Sequence, residues 1–202
     1  MNKIKNVVFD FGQVMVHFDP AYMVGKYVSD AEDAHLLAEV IFDRLYWDKL
    51  DSGDISDAEV IEGCKQRLPE RLHDVAEKIY SNWIYNLPEI KGMRELALRL
   101  RDECGMRLFL LSNISEYFAD HAPEIPVLEI FEKCIFSAKV GHVKPNADMF
   151  EYLCDTCGIS PSETVFVDDN SANIAGAEAY GIHVYLFDGD VERLRTYFSF
   201  GK

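Results

Sequence analysis

The sequence is short of positive charge. Its 202 residues carry 20 Lys and Arg against 35 Asp and Glu, a formal net charge of −15, and the pI is near 4.7. Neutralising nucleic-acid phosphates takes clustered Lys and Arg, so no nucleic-acid partner is expected. Docking on anionic lipid is disfavoured for the same electrostatic reason. Anionic small molecules stay open, because a pocket can be locally positive on an acidic protein. The charge is not gathered into a tail: residues 15–91 hold 16 acids and 8 bases, and the remainder 19 and 12. Such a spread reads as a solvated surface.

Long apolar runs are missing as well. No stretch approaches the roughly 20 residues that a membrane helix needs. The apolar run after Lys3 and Lys5 is cut by Asp10, too early for a signal peptide. No membrane partner is expected, and the cytoplasm is the default location. Cysteine is sparse, with five residues at positions 64, 104, 134, 154 and 157. An odd, scattered set is unlike a secreted disulfide framework. Cys154 and Cys157 form a single CxxC inside a helical pattern, without a second pair or a histidine cluster. Reduced packing residues are the expectation. Internal repeats and low-complexity segments are absent too.

What is present is a globular composition, 49% hydrophobic and 12% aromatic, in a chain long enough to bury a real core. Asn6–Phe11 is a short apolar strand signal closed by Gly12. Residues 20–91 then read as almost wholly helical. Leu36, Leu37, Val40, Ile41 and Leu45 recur at helical spacing, and Asp51-Ser52-Gly53-Asp54 reads as a turn. Ser56 with Glu59 is a capping box that opens a further helix, and an amphipathic run covers Pro69 to Trp83. Trp47, Trp83 and the tyrosines at 22, 27, 46, 80 and 85 are expected mostly in the core or an interface, a minority of them lining a pocket.

After Pro88 the pattern changes. Strand signals at 107–111, 134–136, 164–167 and 183–187 alternate with helical stretches at 145–157, 172–180 and 192–198, and a short helix follows Ser115. Apolar strands alternating with helices predict a parallel sheet covered on both faces. The expected fold is an α/β, Rossmann-like doubly wound parallel sheet. Its core is residues 1–14 and 92–202, with 15–91 an inserted α-helical cap over the carboxyl edge of the sheet.

Ligands of open α/β sheets bind outside the carboxyl ends of the strands. The polar residues that follow each strand are therefore the candidates. They are Asp10, then Ser112 and Asn113, then Lys144 before Pro145, then Asp168 and Asp169. Together they amount to a nucleophile, a cage of hard oxygen ligands and a phosphate clamp. Carboxylate oxygens suit Mg²⁺, and a carboxylate nucleophile needs the repulsion of a phosphate dianion relieved. Lys144 supplies a second positive charge on the phosphoryl oxygens.

These residues resemble the haloacid dehalogenase-like hydrolases. Phe9-Asp10-Phe11-Gly12-Gln13-Val14, Leu111-Ser112-Asn113, Lys144-Pro145 and Val165-Phe166-Val167-Asp168-Asp169-Asn170 look like the family's four motifs, in order, across essentially the whole chain. The resemblance implies a Mg²⁺-dependent phosphatase of a small phosphorylated metabolite. Asp10 would be the nucleophile and a metal ligand. Gly12 would lend its carbonyl to the metal, Asp169 its carboxylate, and Asp168 a water-mediated contact. Ser112, Asn113 and Lys144 would hold phosphate.

One departure stands out. Most phosphatases of the family carry a second Asp two residues after the nucleophile, which protonates the leaving group; this chain has Gly12. The pattern is closer to a subgroup with Asp-x-Gly-Asn-Val, including an α-D-glucose-1-phosphate phosphatase, although Gln13 replaces the Asn. A sugar phosphate is the implied substrate, and His17 or Asp19 the nearest replacements for the acid. Two rivals share these residues: a dehalogenase on the same fold, and a phosphate-binding regulatory protein without turnover.

Overall fold

The computed structural model describes residues 4–198. The first strand, β1 (Asn6–Phe9), leads into five helices, α1 (Pro20–Gly25), α2 (Ala31–Ile41), α3 (Arg44–Ser52), α4 (Asp57–Arg67) and α5 (His73–Tyr80). Then come α6 (Met93–Asp102), β2 (Arg107–Ser112), α7 (Glu116–His121), β3 (Lys133–Phe136), α8 (Ser137–Val140) and α9 (Ala147–Cys157). The chain closes with β4 (Thr164–Asp168), α10 (Ser171–Tyr180), β5 (His183–Leu186) and α11 (Val191–Tyr197). The strands form one sheet in the order β3-β2-β1-β4-β5, and every pairing is parallel.

The apolar strand runs are explained by burial on both faces. Val7 and Phe9 turn to one side with Leu108, Leu110, Val165 and Val167, where α6 adds Met93, Leu96 and Leu100 and α11 adds Leu194. Val8, Phe109, Leu111 and Phe166 turn to the other, against Met149, Phe150 and Leu153 of α9 and Ala177 of α10. A strand with helices on both faces has no solvated side, so it reads as continuous apolar sequence. Cys154 and Cys157 pack in this second layer, and all five cysteines are unpaired.

Strand order fixes where a ligand would sit. The chain builds outward from β1 through β2 to β3, then returns to the other side of β1 for β4 and β5. Such a reversal opens a crevice at the carboxyl ends of the central strands.

The helices between β1 and α6 have apolar packing of their own, with Leu37, Val40, Ile41, Val60, Ile79 and others buried together. Asp30 and Asp43 accept backbone N–H bonds at the starts of α2 and α3, and the capping box of Ser56 and Glu59 is present at α4. Two local expectations change. Asp51 and Ser52 belong to α3, not to a turn. The reversal is concentrated at Gly53, whose φ of +78° lets its N–H reach Leu50 and lets Asp54 N–H reach Lys49. The run from Pro69 divides into single 3₁₀ turns at Glu70–Leu72 and Trp83–Tyr85 on either side of α5. No helix among the described residues is long and apolar enough to cross a membrane.

Candidate active site

At the end of β1 the chain leaves the ladder after one last bond, from Asp10 N–H to the Val167 carbonyl at 2.9 Å. It then reverses tightly. Met15 and Val16 both donate to the Phe11 carbonyl, and Gln13 takes a φ of +56°. That left-handed conformation costs about 1 kcal/mol for a residue with a side chain. It is offset by bonds from Gln13 N–H to Val16 and from its side-chain amide to the Phe18 carbonyl. The reversal sends the chain towards the helices and leaves the Asp10 carboxylate facing the crevice. A Cβ at Gly12 would meet nothing within 4 Å, so the place two residues after Asp10 is open space.

Lys144 lies at the centre. Its ammonium is 2.7 Å from Asp10 Oδ1 and 2.8 Å from Asp168 Oδ2, with the Lys144 side chain only 1% exposed and that of Asp168 fully buried. Burial pulls the ammonium down, but the two carboxylates outweigh it and hold Lys144 above the ordinary lysine range. Burial pushes the Asp10 carboxyl up to about 6, with Lys144 opposing and Asp168 adding to the rise. Asp168 is also saturated from the other side. Its oxygens accept from Asn170 N–H at 2.7 Å and from the Asn173 amide at 3.0 and 3.2 Å.

Asn113 turns out to be a clamp on Lys144. Its side-chain amide donates to the Lys144 carbonyl at 2.9 Å, and its side-chain oxygen accepts from Lys144 N–H at 2.8 Å. That amide is thus committed to the backbone of the lysine and does not point free into the crevice. The next residue, Pro145, lies so close to α10 that a Cβ on Gly176 would sit 2.3 Å from the Pro145 carbonyl oxygen.

A cavity of about 560 Å³ opens over these groups. Asp10, Gly12, Ser112, Asn113, Lys144 and Asp169 contribute to its floor, and the helical segment supplies Arg44, Asp48, Asp51 and an aromatic wall of Phe18, Phe42, Trp47 and Trp83. Most of the wall rings pack edge to face, as in Trp47 against Trp83 at 4.9 Å, while Phe42 stacks on Trp47 at 5.5 Å. None of the tyrosines at 22, 27, 46, 80 and 85 lines the cavity. Asp10, Asp168 and Asp169 each bring an oxygen within 4.8 Å of the others. All-oxygen carboxylate donors are what a hard dication takes, so the residues fit Mg²⁺. Burial, with Asp168 beside it, raises the Asp169 carboxyl above its usual range.

The two residues nearest in sequence to the open place do not fill it. His17 is exposed and off the cavity lining, and the Asp19 carboxylate accepts from Tyr22 N–H as the cap of α1. Sequence reasoning missed Asn173 and Asp51. Asn173 has a faint signal, a lone amide within the small-residue run of α10, one turn past its Asn170 cap.

The profile of the haloacid dehalogenase-like hydrolases matches residues 4–181. The chain belongs to this family. It is 27% identical over 190 residues to a D-ribitol-5-phosphate phosphatase of Bacteroides thetaiotaomicron, covering 90% of this chain and 91% of that protein. Among solved structures it resembles a HAD family enzyme of the same organism in a magnesium complex. The TM-score is 0.72 and the identity 24%, over 96% of this chain and 99% of that one. A predicted HAD-like hydrolase of Porphyromonas gingivalis matches the full length of both chains at 25% identity and a TM-score of 0.70. Family membership makes this chain a hydrolase on a Rossmann-like α/β fold.

Proposed function

We propose that the chain is a Mg²⁺-dependent phosphomonoesterase acting on a small phosphorylated metabolite, a sugar or polyol phosphate. The observation that carries this reading is the pair formed by Asp10 and the buried Lys144 at 2.7 Å, beside two further carboxylates, under a cavity of about 560 Å³. A carboxylate nucleophile, an ammonium for phosphoryl oxygens and oxygen ligands for a dication meet there at one point. The similarity to a ribitol phosphate phosphatase over nine-tenths of the chain supports the substrate class.

In this reading an Asp10 carboxylate oxygen attacks phosphorus and forms an aspartyl phosphate, which water then hydrolyses. Lys144 and Ser112 take the phosphoryl oxygens, and Asn113 acts by fixing the backbone of Lys144. Asp168, through its bond to the ammonium and its anchors on Asn170 and Asn173, holds Lys144 in place. Asp10, Asp169, the Gly12 carbonyl and, through water, Asp168 would hold Mg²⁺, whose charge offsets the repulsion between carboxylate and phosphate. Residues 15–91 act as a cap that screens substrates over a core of 1–14 and 92–202. Five unpaired cysteines suit a reducing compartment, the cytoplasm.

The test is phosphate release from a panel of phosphorylated metabolites, with and without Mg²⁺, by the wild type and by Asp10→Asn. The wild type is expected to turn over at least one sugar or polyol phosphate only with Mg²⁺, and the variant none. Unchanged turnover in Asp10→Asn would overturn the mechanism.

A further inference from the structure

One carboxylate in the cavity wall is left unused by this reaction. Asp51 stands in the last turn of α3, on the lining of the cavity that also holds Asp10 and Lys144. Its backbone is tied to the core: the buried Ser137 hydroxyl, at the end of β3, donates to the Asp51 carbonyl and accepts from Ile114 N–H at 2.9 Å. The side chain is different. Among the described residues, no hydrogen bond or ion pair engages the Asp51 carboxylate, although the residue is more than half buried.

An alkoxide is a poor leaving group, so hydrolysis of an alkyl phosphate needs a proton delivered to the ester oxygen. The other charged groups of the lining are committed. Asp48 pairs with Arg44 on its own helix, and Lys144 bridges Asp10 and Asp168. Asp10 and Asp169 belong to the phosphate end. Gly12 offers no side chain, and a Cβ there would meet nothing within 4 Å.

We propose that Asp51 is the general acid of the reaction, delivered from the helical segment into the space left open at Gly12. The inference rests on the phosphatase reading. As the bond from Asp10 oxygen to phosphorus forms and the bond from phosphorus to the ester oxygen breaks, the electron pair goes to that ester oxygen. The Asp51 carboxyl proton follows it, giving a neutral alcohol and an Asp51 carboxylate. In the second half, water oxygen bonds to phosphorus, the bond from phosphorus to Asp10 oxygen breaks, and a water proton returns to Asp51. Electrostatics agree. The charged groups around Asp51 are Asp48 and Arg44 on α3, Asp10 after β1 and Lys144 before α9, while Lys139 of α8 is turned to Glu116 and Asp120. Burial, reinforced by Asp48 and Asp10 and opposed by Lys144 and Arg44, pushes the carboxyl up to about 7.

The experiment compares kcat/KM for the alkyl phosphate turned over fastest in the panel and for p-nitrophenyl phosphate, whose phenolate leaves without a proton. It uses the wild type, Asp51→Asn and Asp51→Glu in Mg²⁺ across pH 5–9. Asp51→Asn is expected to lose at least ~100-fold on the alkyl ester and less than ~10-fold on the aryl ester, within the range of general acid catalysis. It is also expected to lose the fall in rate at high pH that the wild type shows. Asp51→Glu keeps a proton to give and is expected to recover part of the alkyl activity, which holds even if the Asn variant fails to fold. Equal losses on both esters, or no loss, overturn the role of Asp51 and leave the phosphatase standing. A wild type that hydrolyses the aryl ester but no alkyl phosphate also overturns it. A wild type without activity on either ester overturns the phosphatase reading and this inference together.

Discussion

Lys144→Met isolates the electrostatics of the site, because it removes the ammonium and keeps most of the apolar stem. In the wild type two short ion pairs, at 2.7 and 2.8 Å, hold three charges in a region where Lys144 is 1% and Asp168 0% exposed. Without the ammonium, Asp168 keeps the bonds from Asn170 and Asn173, and Asp10 faces a second carboxylate with no cation between them. Breaking a buried pair by removing one partner costs about 3–5 kcal/mol, since the remaining charge stays desolvated. For a domain of this size each kcal/mol moves Tm by about 2–4 °C, so a fall of about 6–20 °C is expected at pH 7.5 in EDTA. The sign with pH follows from linkage. In the variant the crowded carboxyls hold protons more tightly folded than unfolded, so the penalty is full at neutral pH and shrinks towards pH 5. Adding Asp168→Asn is expected to recover about 1–3 kcal/mol, the coupling of groups in contact. Calorimetric melts at both pH values measure all three quantities. A fall under 2 °C at pH 7.5, or a larger fall at pH 5, would refute the reasoning.

Two further outcomes follow from single contacts. Gly176→Ala places a methyl group 2.3 Å from the Pro145 carbonyl, so either α10 or the segment bearing Lys144 must move. A loss of about 1–3 kcal/mol in urea unfolding is expected, with slower phosphate release, and unchanged stability would contradict the close approach. Asp51 gives a second pH signature. Its carboxyl lies at about 7 folded against an ordinary 3.8, so the folded state binds the extra proton and stability falls as pH rises between those values. Asp51→Asn removes the penalty. A gain of about 1–2 kcal/mol over the wild type is expected at pH 8, discounted for partial exposure, with none at pH 4; melting curves that differ equally at both pH values would be inconsistent with it.

The sheet and the floor of the site were legible because both obey local rules. A strand buried on two faces must be a run such as Val7-Val8-Phe9 or Val165-Phe166-Val167, and a polar residue closing it, Asp10 or Asp168, has few reasons to be there other than a ligand. The functions of Asn113 and Asn173 were not legible. An amide spends its donors and acceptors on whatever the fold brings near. Only the structure shows that Asn113 holds the backbone of Lys144, 31 residues away, and that Asn173 holds Asp168. Asp51 was hidden more deeply. Asp-Ser-Gly-Asp satisfies every local criterion for a turn, and the left-handed Gly53 alone decides that the helix runs one residue past Asp51.

That single helical residue matters because the two ends of the cavity come from different parts of the chain. The proposed nucleophile, Asp10, stands just past the end of β1, while Asp51 arrives on α3, whose Leu50 is buried with the other helices of the insert and which also packs on α8. The proposed proton transfer requires their separation to be held closely while the ester bond breaks. The bond from Ser137 to the Asp51 carbonyl makes that registration directly, since Ser137 follows β3 without a break and β3 pairs with β2, which pairs with β1. Trp83 makes a second connection, stacked on Phe118 of α7 at 5.7 Å and edge-on to Trp47 of α3 at 4.9 Å. A helical segment joined only through its chain ends would rock freely over the sheet. Here a hydrogen bond at the last turn of α3 and the aromatic stack set its depth, so the place of Asp51 in the cavity wall is held by the core itself.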